Sequence, residues 1–221
     1  CEDVLASHYQ RLNSQQQSYQ FDPDAVGRRS LKNMCLRFLT SLEDVTYHEW
    51  AYEQFTEANN MTDEIEALGF LANNQGPYRQ KALESFYEKW REEPLVVDKW
   101  LAIQATAKVS DVLSVVMALS KSPVFSLRNP NKVSALLVSF TRGNPMGFHD
   151  AEGKGYNFIA DKVIELDSIN PQSAARLVRA FCYWKKYDRK RRALMKIELQ
   201  RILEVKNLSP NVFEIVSKTL K

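Results

Sequence analysis

Short polar residues stand directly before proline at several places in this chain, and four of these pairs open apolar-periodic segments: Asp22-Pro23, Asn129-Pro130, Asn170-Pro171 and Ser209-Pro210. The polar side chain can accept from a free helical amide, and proline's fixed φ and missing N–H suit the first turn of a helix. Repeated along a chain, the pair reads as a series of helix starts. The segments between carry apolar residues at three- and four-residue spacing, as in Val4, Leu5, His8, Tyr9 and Leu12, or Leu31, Met34, Cys35, Phe38 and Leu39. Gly and Pro number 7 and 8 of 221, about 7% together against an average near 12%. So few breakers leave little material for the tight turns of an all-β protein.

The same rhythm predicts helices over 47–58, from a cap at Thr62 to Ala72, and over 78–93, 95–106, 110–120, 153–168 and 189–206. Asn73-Asn74-Gln75-Gly76-Pro77 is a break. Only 124–127 and 145–148 read as extended, irregular connectors. The expectation is an all-α chain of about eleven short helices, paired into a superhelical α-solenoid of the HEAT or armadillo kind, over one domain. A compact bundle is the competing architecture, and it uses fewer and longer helices. At 44% hydrophobic and 26% charged, the chain has enough apolar content for a core. No apolar run approaches the roughly 18 residues of a membrane span.

Cys1, Cys35 and Cys182 are odd in number and widely spaced, with no C-x-x-C. They indicate buried free thiols in a reducing compartment, cytoplasmic or organellar, rather than a disulfide framework or a zinc knuckle. The N-terminus has neither a basic n-region nor an apolar h-region, so secretion is not expected. Net charge is +3, but from Asn170 onward 13 Lys and Arg face 4 Asp and Glu, a local +9. That asymmetry leaves open a free-standing solenoid that binds an acidic protein or a nucleic acid. The run Lys185 to Arg192 lies at a helix junction, where cations can also be solvated or satisfy helix-end carbonyls.

Catalytic signals fail on inspection. His48-Glu49-Trp50-Ala51-Tyr52 begins like H-E-x-x-H, but Tyr52 stands where the second imidazole must be. It reads instead as a surface histidine beside a core Trp50. Gly153-Lys154-Gly155 lacks the third glycine and the Lys-Ser/Thr of a phosphate loop, and reads as a turn into a helix. Glu92-Glu93 reads as a solvated helix end. The expected catalytic residues of this chain are none, and so are its expected metal ligands and cofactors.

Four segments together are more specific than periodicity. They are 29–39, RSLKNMCLRFL; 55–63, FTEANNMTD; Val97-Asp98-Lys99-Trp100 with Gln104-Ala105-Thr106; and Asn129-Pro130-Asn131-Lys132-Val133 through Phe148-His149 and Gly155-Tyr156 to Asn170-Pro171-Gln172. In order and spacing they resemble the C-terminal helical domain of the bacterial- and plant-type alanyl aminopeptidase N family, which are zinc metallo-aminopeptidases. In that family the zinc helix and the segment binding the peptide amino group lie in a preceding thermolysin-like domain. The resemblance places Cys1 within the first part of the helical domain. It implies a cap that closes over the active-site chamber and limits entry to peptides. The implied partners are the catalytic domain of the same polypeptide and a peptide substrate, with no nucleic acid and no membrane. Zinc is the implied cofactor of the full-length enzyme. By the same resemblance, Gln172 matches a position lining the pocket for the substrate's first side chain, and Arg176 an arginine facing that chamber. The chain departs from the family at Ser134, where Arg is often found.

Overall fold

The computed structural model describes residues 1–14, 19–42 and 44–221. These are predominantly helical, with no strand among the described residues. The helices gather into two compact units, Cys1–Arg91 and Glu92–Lys221.

The first unit holds α1 (Glu2–Asn13), α2 (Pro23–Leu39), α3 (Val45–Glu57), α4 (Met61–Ala72) and α5 (Pro77–Trp90). Sequential helices pair, α1 on α2, α3 on α4 and α4 on α5. Asp22 caps α2 by accepting from the Ala25 amide at 2.9 Å, with Pro23 in the first turn. The cap of α4 is Asn60, which accepts from Asp63 N at 3.0 Å, rather than the expected Thr62. Either residue could serve, and the start two positions earlier lets Asp63 turn inward. The stripe on α2 also splits. Cys35 and Leu39 are buried, whereas Leu31, Met34 and Phe38 lie exposed along the outer edge of the same stripe.

Polar groups tie this unit together from within. Lys32 pairs with Asp63 at 2.8 Å, both side chains less than a tenth exposed. Asn33 donates to the other Asp63 oxygen at 2.8 Å, and Gln54 donates to Asn33 at 2.7 Å. Three helices thus share one buried network. Such a network stabilises while its charges are paired, because an unpaired buried charge is costly; among the described residues the Gln54 Oε1 is the member left without a partner. His48 is buried and Trp50 half-buried, the reverse of the sequence expectation. The His48 Nε2 lies 3.2 Å from the Thr40 carbonyl, while Trp50 stacks flat on Tyr9 at 5.4 Å.

The second unit holds α6 (Pro94–Thr106), α7 (Val112–Leu119), α8 (Pro130–Val133), α9 (Ser139–Gly143), α10 (Pro145–Phe148), α11 (Lys154–Asp167), α12 (Pro171–Val178), α13 (Arg189–Leu203) and α14 (Pro210–Leu220). The count exceeds eleven among the described residues for two reasons. The helix beginning at Pro130 is interrupted by a π-helical turn, Ser134–Val138, between α8 and α9. The expected connector 145–148 is a short helix, with Asn144 accepting from the Gly147 amide at 3.0 Å. Asn129, Asn170 and Ser209 all cap as their following prolines predict. The core is centred on aromatic rings: Phe140, Phe148, Tyr156 and Phe181 are fully buried, and Phe148 meets the other three edge-on at 6.2, 5.2 and 5.7 Å. Gly155 permits this closeness, since a Cβ there would lie 2.6 Å from the carbonyls of Gly147 and Phe148. Among the described residues, no helix is long and apolar enough to cross a membrane.

Candidate functional site

A cleft of about 570 Å³ opens in the second unit, bordered by α9, the end of α10, α12, the 3₁₀ turn Arg179–Phe181, and α14. The π turn helps to build it. One extra residue in a single turn rotates every later side chain by about 100°. Val138 at the end of that turn, and Thr141 and Arg142 after it, face the cleft.

His149 follows α10 and is held from three sides. Its ring stacks on Tyr187 at 4.1 Å, the Tyr156 hydroxyl lies 2.8 Å from Nδ1, and Arg191 Nε donates to its carbonyl at 2.7 Å. Burial, with the Arg191 cation second, pushes the imidazole pKa down to about 4. Burial pushes the Tyr156 phenol up to about 12, so it remains protonated. Tyr156 is therefore the donor and the neutral ring the acceptor at Nδ1, which leaves the ring proton on Nε2.

Of the two residues that the family resemblance singles out, both stand exposed on α12. Arg176 lines the cleft, and among the described residues it makes no ion pair or hydrogen bond. Gln172, one turn earlier, lies outside the lining. Arg142, Arg179, Tyr183, Tyr187 and Lys218 complete much of the wall. Sequence reasoning missed them because they come from α9, the 3₁₀ turn Arg179–Phe181, the connector before α13, and α14, and only the +9 tail hinted at the charge.

The other candidates resolve into structural roles. Gly153 takes a left-handed φ of 75° before α11, and the Asp150 carboxylate accepts from Glu152 N at 2.7 Å and Gly155 N at 3.2 Å. A carboxylate of the chain thus sits where a phosphate would have to bind. Within the basic run, Arg191 is spent on His149 and on Asp188, which also caps α13. Lys185, Lys186, Arg189, Lys190 and Arg192 stay exposed. Among the described residues, no group of three or more His, Cys, Asp or Glu side chains could hold a metal ion.

A family model described as a domain of unknown function (DUF3458_C) with ARM repeats matches residues 1–221. Aminopeptidase N of Caulobacter vibrioides is 41% identical over 219 residues, covering 98% of this chain and 25% of that protein. Aminopeptidase N of Escherichia coli is 36% identical over 205 residues, covering 93% and 24%. A crystal structure of Legionella pneumophila aminopeptidase A in complex with aspartic acid is similar with a TM-score of 0.90 at 35% identity, over 99% of this chain and 26% of that one. The chain spans about a quarter of the length of the curated relatives it matches.

Proposed function

Because this chain belongs to the DUF3458_C family of ARM-repeat domains, we propose that it is the C-terminal helical domain of a zinc-dependent aminopeptidase that removes N-terminal amino acids from peptides. Its part is to wall the active-site chamber: enclosing the reacting centre excludes folded proteins and admits a chain end. The zinc is assigned to no residue of this chain, whose described side chains form no group that could hold it. The observation that carries the reading is Arg176, an exposed cation with no partner among the described residues, on the wall of an open cleft. In the intact enzyme Arg176 holds substrate and sets the charge of the chamber, and Gln172 tunes selectivity for the first side chain.

The test uses the intact polypeptide with a panel of aminoacyl amides and tripeptides. Arg176→Ala should raise KM for the longer peptides. Gln172→Ala should redistribute kcat/KM among substrates by about 1 kcal/mol, the net worth of one hydrogen bond. Unchanged ratios in both variants, with folding and metal content intact, would reduce these residues to a structural role. A salt-dependent nucleic-acid complex with no release of amino acids would favour the free-standing solenoid instead.

A further inference from the structure

The cleft beside α12 is electrostatically incomplete. Arg142, Arg176, Arg179 and Lys218 line it, and no acidic side chain does so among the described residues. Lys218 is answered by Glu214, one turn back on α14, at 2.6 Å. The three arginines make no ion pair or side-chain hydrogen bond among the described residues. Like charges brought into one concavity repel each other and raise the local concentration of anions. Guanidinium groups also match the planar fork of a carboxylate better than ammonium groups do. His149 contributes a further donor: with Nδ1 accepting from Tyr156, the ring's proton is on Nε2. Tyr183 and Tyr187, with Leu177 and Ile215, supply aromatic and apolar wall. At about 570 Å³ the space suits an organic ligand better than a bare ion, since ligand pockets run from about 300 to 1,000 Å³.

We propose that this cleft is an oxyanion site for the terminal carboxylate of a peptide, with Arg142, Arg176 and Arg179 around the carboxylate and the peptide's last side chains against Tyr183 and Tyr187. The choice of a peptide rests on the functional reading above; the oxyanion chemistry rests on the cleft alone.

The probe is an N-acetylated tripeptide, titrated calorimetrically into the intact polypeptide as its free acid and as its C-terminal amide. With no free amino group it is not a substrate for amino-terminal cleavage, so binding is read apart from activity. The free acid should bind at least about tenfold more tightly than the amide, in keeping with a charge-assisted pair. Arg142→Gln and Arg179→Gln should each weaken the acid about tenfold and leave the amide unchanged. Arg192→Gln, an exposed cation outside the lining, should change neither. Equal binding of acid and amide would overturn the proposal. Inorganic phosphate binding as tightly as the acid, and displacing it, would overturn the peptide and keep the oxyanion site for a free anion. Absence of amino-acid release by the unmutated polypeptide would overturn the enzymatic reading and leave the acid-to-amide ratio untouched.

Discussion

The two units differ in their charge and in where most of it is placed. The first, residues 1–91, carries 9 Lys and Arg against 14 Asp and Glu, and the second carries 21 against 13, so net charge runs from −5 to +8. The acidic unit takes charge inside: Lys32, Asp63 and Glu64 are all buried, Asp63 between α2 and α4, and Glu64 against Lys89 and the Trp90 indole at 2.9 and 3.1 Å. Meanwhile Leu31, Met34 and Phe38 lie exposed on α2. The basic unit buries only the carboxylates Asp167 and Glu198, keeps an aromatic centre, and places Arg142, Arg176 and Arg179 on the wall of a cleft. A buried charge is committed to its partner and fixes how helices register. A rim charge fixes little and remains available to a ligand.

The sharpest way to break that contrast is Asp63→Ala. It strands the Lys32 ammonium in a buried site and removes acceptors from Asn33 and Asn60, a loss of about 3–5 kcal/mol. Hydrogen exchange read peptide by peptide should show the loss across α2 to α4. Unchanged protection there would mean the network is not what joins those helices. The paired replacement Lys32→Met with Asp63→Leu should recover the part of the loss due to the stranded charge, leaving about 1–3 kcal/mol for the Asn33 amide that still lacks its acceptor.

A smaller effect belongs to the second unit and is read against pH. His149 ordinarily titrates near 6.5 and is held near 4 by burial and Arg191. Between those values the unfolded chain binds the proton that the folded chain refuses. The stability contributed by the neutral ring is therefore full above pH 6.5 and lost as pH falls toward 4. His149→Gln should flatten the pH dependence of Tm in that window. Loss below pH 4 should persist, because Arg191 holds the Asp188 carboxyl near 2, and a carboxylate with a depressed pKa loses its contribution as pH falls through that value. An unaltered slope between pH 4 and 6.5 would show that the buried ring does not set it.

The smallest effect tests the other side of the comparison. Phe38 is half exposed on α2, and Phe38→Ser should shift the stability of the first unit by no more than about 0.5 kcal/mol, as is usual for surface positions. A large loss would show that the outer stripe is part of the core.

What the sequence determined was local. Helix starts are legible because capping and the fixed φ of proline act over four residues, and Asp22, Asn129, Asn170 and Ser209 all cap where the adjacent proline indicates. The all-α class follows from the same signals, and the ARM-repeat match agrees with it. Wherever two local solutions had similar energy, sequence could not choose. Asn60 or Thr62 could cap α4, either edge of the α2 stripe could turn inward, and His48 or Trp50 could be the buried member of α3. Tertiary packing decided each, because burial adds a few kcal/mol to one alternative and nothing to the other. The cleft is the extreme case. Arg142 reaches it through a π turn that no periodicity reveals, and Arg142, Arg176, Arg179 and Lys218 come together from residues up to 76 positions apart. Their proximity is a property of helix stacking, and stacking is settled by long-range contacts that a reading along the chain does not contain.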